Sequence, residues 1–227
     1  MASSTITTIH LVAHSTTQKI NIMKHLILLA VAFICFSTLN AQKSDIKLQT
    51  KYGSDNEELH DLMRFQEVET IKLTFIGNDL KDKNYRLLVK EYTNGSLAKT
   101  DTIMDSGKFD YISAINDTVF EIKYHVKTQL NNTIKMNFKF DRFSSPRVYE
   151  IKKVEDKYAL HDFLKTNDPM PIKLNTKTLI MGYFLPYIDK ESGWKKYCDV
   201  SGSEYKPEKW GTIFNIPNYY LIEIMFE

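Results

Sequence analysis

Between Val119 and Gln129 the chain changes character at every residue: Phe120, Ile122, Tyr124 and Val126 alternate with Glu121, Lys123, His125 and Lys127. A strand turns successive side chains to opposite sides of a sheet, so this segment has one dry face and one wet face. Asn131-Asn132 follows as a turn pair, and then Ile134, Met136, Phe138 and Phe140 alternate with Lys135, Asn137 and Lys139. The pattern predicts an antiparallel hairpin whose dry face must be covered by another layer.

The same logic extends along the chain. A second hairpin is expected from Tyr85 to Met104, turning at Asn94-Gly95, a dipeptide suited to the positive φ angles of a tight hairpin. Ile71, Leu73 and Phe75 predict an earlier strand that ends at Gly77-Asn78-Asp79, and Val148 to Val154 predicts one after Pro146. Short strands at this spacing within 66–154 imply an all-β, mostly antiparallel β-sandwich, immunoglobulin-like in size. It lacks the cysteine pair and buried tryptophan of true immunoglobulin domains. Helix is confined to one or two short pieces. Asp55–Phe65 is expected to form one, with Ser54 or Asp55 as cap and Leu59, Leu62 and Met63 on one side; Tyr158–Lys165 is expected to form another.

Asn167-Asp168-Pro169 and Pro171 suggest a boundary. Residues 155–227 are therefore expected to form a smaller β-rich C-terminal unit, and residues 42–65 an N-terminal segment with a short helix. Within the C-terminal part, Thr178–Ile188 is expected to be extended, and Tyr219–Phe226, apolar on both faces, to be a central strand. An echo at an offset of 101, Leu59-His60-Asp61 against Leu160-His161-Asp162 and Ile71-Lys72-Leu73 against Ile172-Lys173-Leu174, raises internal duplication.

Upstream, Met23-Lys24-His25 leads into eleven uncharged residues, Leu26 to Phe36, and then Leu39-Asn40-Ala41-Gln42. A short basic start, an apolar core and a small residue at the cut read as a secretory signal peptide over 23–41, cleaved after Ala41. The apolar run is shorter than the span of about 20 residues needed to cross a bilayer, so no transmembrane segment is expected in the mature chain. Residues 1–22 read as an N-terminal extension from a misassigned start, with Met23 as the true start. The junction resembles those of exported proteins of Gram-negative bacteria, and the remainder is similar in general character to uncharacterised exported β-proteins of such organisms. The resemblance implies a periplasmic, outer-envelope or extracellular location and carries no activity.

Residues 1–41 hold Lys19 and Lys24 and no acid, so the 30 basic residues fall to 28 in the mature chain and match its 28 acids. A balanced chain has no global field to draw in nucleic acid, and no nucleic-acid partner is expected. Lys152-Lys153 and Lys195-Lys196 read as solvated faces. Only Cys198 survives cleavage, so no internal disulfide can form and the core must carry the fold.

No catalytic residue stands out. His60-Asp61 and His161-Asp162 are acid–base types, but sequence neighbours diverge rather than converge. Cys198, with His125 or His161 as base, is the alternative nucleophile, and burial is its expected state. Histidines 60, 125 and 161 lack metal-ligand spacing. Asp79, Asp82, Asp101, Asp105, Asp110 and Asp117 form no calcium loop, and Asp199–Glu204 offers only two acids. No cofactor motif occurs. Asn94, Asn116 and Asn131 head Asn-x-Ser/Thr triplets, which matter only in a glycosylating cell. The aromatic run of 194–220 carries the functional expectation: Trp194, Tyr197, Tyr205 and Trp210 as contacts for a glycan or an envelope protein. A secreted hydrolase using Cys198 or a His–Asp pair is one alternative. A structural subunit assembling through an exposed sheet edge is the other.

Overall fold

The computed structural model describes residues 44–112, 114–152, 155–164 and 168–227. The expected N-terminal extension and signal peptide lie outside the described residues. Ser44–Glu227 form one compact unit, built mostly of antiparallel β-structure in two packed sheets, a β-sandwich. The strands are β1 (Lys47–Tyr52), β2 (Glu69–Ile76), β3 (Tyr85–Thr93), β4 (Ser96–Asp105), β5 (Val119–Gln129), β6 (Thr133–Lys139), β7 (Ser144–Glu150), β8 (Ala159–Asp162), β9 (Met170–Pro171), β10 (Thr178–Phe184), β11 (Tyr187–Ile188), β12 (Lys195–Lys196) and β13 (Asn218–Phe226). The helices are α1 (Glu57–Phe65), α2 (Cys198–Ser201) and α3 (Trp210–Ile213). One sheet has six strands in the order β7-β6-β5-β2-β1-β9, and the other has five in the order β4-β3-β13-β10-β8.

Both expected hairpins are present. Between β3 and β4, Asn94 and Gly95 take φ values of 50° and 77°, the left-handed pair that lets a two-residue turn follow the sheet's twist. Between β5 and β6 the connection is Leu130 to Asn132, with Asn132 at φ 57°. The dry face predicted for the β5–β6 hairpin is buried, and Leu87 and Val89 of β3 lie in the same hydrophobic cluster. Ile122, Tyr124, Val126, Ile134, Met136 and Phe138 are buried and pack with Ile71, Leu73 and Phe75 of β2 in one hydrophobic cluster.

β13 is the central strand its apolar sequence predicts, between β3 and β10. Its inward side drives Phe226 against Phe75 at 5.1 Å and Phe120 at 6.0 Å between ring centroids. Fully burying such a ring contributes about 1.5–3 kcal/mol. The division at residue 154 is thereby corrected. The C-terminal strands β8, β10 and β13 form no separate layer. They complete the second sheet beside β3 and β4, because the β3–β4 hairpin alone could not cover the six-stranded sheet.

Two further expectations change. Tyr158 to Leu164 contains a strand, β8, not a helix: Leu160 and Tyr158 point inward and are buried, while His161 faces the other way. Pairing to β10 supplies the hydrogen bonds a short helix would have made itself. The strand expected from Val148 begins at Ser144 and includes Pro146. Proline is tolerated there because β7 is an edge strand. α1 forms where expected, with Asn56 as its cap through a 2.8 Å bond from the Leu59 N–H to Oδ1. The echoed triplets fold differently, Leu59–Asp61 as helix and Leu160–Asp162 as strand, which removes the structural basis for duplication.

The sheet edges are each blunted. β7 holds Pro146, and β9 has only two residues and ends in Pro171. On β8 the Leu160 N–H donates to Glu69 Oε2 at 3.0 Å, and the Asp162 N–H donates to the Tyr52 hydroxyl at 2.7 Å. β4 carries two register shifts, and its Ile103 and Thr102 carbonyls accept from Ser145 Oγ and Arg147 Nη2. Such devices discourage strand addition.

At one point two glycines are required by contact. A Cβ built on Gly211 would sit 2.3 Å from the Gly95 nitrogen, so the β3–β4 turn and α3 touch backbone to backbone. Gly211→Ala is expected to lower unfolding stability by about 1–3 kcal/mol, measured by denaturant titration, because the contact must be forced apart.

Candidate functional site

The chain between β10 and β13 leaves the sheet and wraps back over its outer face. Pro186 breaks the extended run that begins at Thr178, and β11 then pairs with β12 in a small hairpin. The loop at its tip is organised by Asp189. Its Oδ1 accepts the N–H groups of Glu191 at 3.0 Å and Ser192 at 2.9 Å, and Lys196 Nζ donates to Oδ2 at 2.9 Å. The backbone closes around it: the Gly193 N–H donates to the Asp189 carbonyl at 2.8 Å, and the Asp189 N–H donates to the Trp194 carbonyl at 3.0 Å. Gly193, at φ 70°, makes the final turn. The Trp194 N–H donates to Ser192 Oγ, and its side chain is left 73% exposed.

Beside this loop lies a cleft of about 1070 Å³, lined among others by Asp156, Tyr187, Asp189, Lys190, Phe214 and Asn215. Two of its lining residues are aromatic, and their rings touch. Tyr187 packs on Phe214 at 5.4 Å, and Tyr205 meets Phe214 edge-on at 6.0 Å. Tyr205 itself is 55% exposed. Several charges around the cleft are paired: Lys195 with Asp156, and Lys196 with Asp189 and, at 3.4 Å, Asp199. The Lys196 ammonium, and then the Ser192 N–H, hold the Asp189 carboxyl well below the usual carboxylate range. The Asp189 carboxylate, and then that of Asp199, raise Lys196. Lys195-Lys196 is thus a bridging pair and not simply a solvated face.

The four residues expected as contacts separate. Trp194 and Tyr205 stand exposed outside the cleft lining, Trp194 next in sequence to the lining residue Gly193 and Tyr205 against the lining residue Phe214. Tyr197 is half-buried, its hydroxyl donating to the Lys157 carbonyl at 2.6 Å and its ring stacked on His161 at 6.0 Å. Trp210 is 1% exposed, packed against Phe184 at 5.0 Å, Phe163 at 5.7 Å and Tyr219 at 6.0 Å. The expectation of Trp210 as a contact is corrected: it seals the outer face of the five-stranded sheet and is the floor beneath the loops. Tyr187 and Phe214 were not anticipated as cleft residues. The signal in the sequence is Asp189 followed by Ser192-Gly193, an Asx-type loop signature that marks a built tip between them.

The acid–base pairs do not assemble. His60 and Asp61 are exposed on α1. His161 and Asp162 lie on opposite faces of β8. Asp162 accepts from Thr50 Oγ1 at 2.6 Å and the Leu164 N–H at 3.1 Å, away from the imidazole. Burial pushes the His161 imidazole below its usual range, only partly offset by Asp162. His125 Nδ1 is engaged with Thr70 Oγ1 at 2.8 Å. Cys198 is exposed, at the start of α2, so its expected burial is corrected. The loop excursion from the sheet carries it outward with Asp199. No cluster of three or more His, Cys, Asp or Glu side chains suited to a metal occurs among the described residues. No helix among them is long and apolar enough to cross a membrane.

Comparison with protein-family models, curated proteins and solved structures gave no match.

Asp189 is the residue whose loss should free Trp194. In Asp189→Ala, amide exchange at Glu191 to Trp194 is expected to accelerate while β13 stays protected. The pH dependence follows the sign of the shift. A depressed carboxyl contributes above its unfolded value and is lost only as pH falls through its folded value. The loop should therefore keep its slow exchange at pH 4 and open only in stronger acid. Native Cys198 should react with a small alkylating reagent without unfolding; protection from it would contradict the exposed position.

Proposed function

We propose that this chain is an exported, non-enzymatic recognition protein that holds a glycan in the cleft between the β11–β12 hairpin and the Thr212–Pro217 segment. The observation that carries the reading is Trp194, a large aromatic side chain held out of the fold by a fully hydrogen-bonded loop. Exposed aromatic rings offer a flat apolar surface to the carbon face of a sugar. The cleft places Tyr187 and Phe214 beside Asp189, Lys190 and Asn215, so ring faces and groups able to bond hydroxyls lie together, as ligand sites require. The signal-peptide pattern at 23–41 fits the same reading, since a protein outside the inner membrane would meet envelope and extracellular polysaccharides.

A glycan array probed with the purified chain tests this. Binding to at least one carbohydrate is expected. Trp194→Ala and Tyr205→Ala should each weaken it about tenfold. Trp194 fluorescence should change on titration, and the signal should vanish in Trp194→Phe, because Trp210 is sealed in the core. A blank array, or full binding by Trp194→Ala, would overturn the proposal; binding to an envelope protein through the same two residues would redirect it to a protein ligand.

A further inference from the structure

The outer face of the six-stranded sheet carries a row of lysines that the fold does not need. With Leu48, Ile71, Leu73, Ile122, Tyr124 and Phe138 turned into the core, strand alternation sends Lys51, Lys72, Lys123 and Lys139 outward. The register then sets Lys51 opposite Lys72, Lys72 opposite Lys123, and Lys123 opposite Lys139. Four neighbouring strands each contribute one ammonium group to a single line. At strand spacings of about 4.8 Å, the line spans about 14 Å. Lys127 and Lys135 form a second facing pair further along the same hairpin.

Like charges set directly opposite one another weaken a sheet. Two of the six are answered, Lys51 by Asp55 at 2.5 Å and Lys72 by Glu121 at 2.6 Å. Lys123, Lys127, Lys135 and Lys139 make no ion pair among the described residues. Three of these four are exposed, and Lys127 is half-buried. Their field is felt locally: burial first, and then Lys123 and Lys139, hold the His125 imidazole between them below its usual range. The mature chain has no net charge to explain such a concentration, so the basic face is a local feature.

We propose that this face binds a linear acidic polysaccharide laid across the strands, its carboxylate or sulfate groups meeting Lys51, Lys72, Lys123 and Lys139 in turn. Charge complementarity selects an anion, and the shape of the array selects its form. The lysines make a line across the sheet, with Gln49, Thr74 and Glu121 in the row on one side and Thr70, His125 and Asn137 in the row on the other. No large apolar side chain stands in the row to enter a bilayer. The face is a separate site from the aromatic cleft and does not depend on it.

Polygalacturonate, dextran sulfate and neutral dextran are the probes, measured by calorimetry at low and at 0.5 M salt. The acidic polymers should bind at low salt and be released by high salt, since exposed charges are screened; neutral dextran should not bind. Lys123→Gln/Lys139→Gln should weaken binding about fivefold or more, because these two are unpaired. Lys173→Gln/Lys177→Gln should leave it unchanged. Equal loss in the Lys173/Lys177 control would show non-specific ion exchange and overturn the proposal. So would unaltered binding by the Lys123/Lys139 variant, or tighter binding to phosphatidylglycerol vesicles or duplex DNA than to polygalacturonate.

Discussion

The contact between the inward face of β13 and the hairpins opposite is the constraint on which the rest of the structure depends. Phe226 wedged against Phe75 and Phe120 joins the last strand of the chain to the six-stranded sheet. β13 also holds β3 on one side and β10 on the other. Without it the five-stranded sheet separates into a hairpin and a loose pair, and neither can shield the opposite core. The loops of the candidate cleft hang from the same strand, through Trp210 on Tyr219. The cleft therefore has a stiff base.

The interior is polar as well as greasy at one end. Tyr149 donates to Asp101, Tyr220 to Glu91 and Tyr158 to Asn218, all at 2.9–3.3 Å. Burial is the first cause raising each of these phenols. Hydroxyls that reach a named acceptor let large rings fill the gap between sheets without stranding a dipole. Glu69, raised by burial, spends one oxygen on the Leu160 N–H and so closes β8. Core filling and edge protection share side chains.

How much of this could be read from the chain depends on distance along it. The β3–β4 and β5–β6 hairpins were legible because period-two alternation and a turn dipeptide lie within a few residues of each other. Centrality of β13 was legible because Tyr220 to Phe226 is apolar on both faces. Its partners were not: β3 lies more than a hundred residues upstream, and no local pattern names them. β8 misled because Tyr158, Leu160, Phe163 and Leu164 suit either period, and only pairing with β10 decides. Trp194 and Trp210 look alike in sequence. Hydrogen bonds to Asp189 expose one, and the Gly95–Gly211 contact pins the other. The lysine row was invisible for a related reason. Each strand shows an ordinary wet face, and only the register aligns them.

A strand at the middle of a sheet must be in place before the strands on its two sides can be joined. β3 and β4 are made long before β13, yet β3 waits for it as a neighbour, and β10 waits too. Until residue 226 is available, the long-range pairing that secures the fold has no template. The five-stranded sheet is thus two separate ladders, β4–β3 and β10–β8, that meet only through the one ribbon between them.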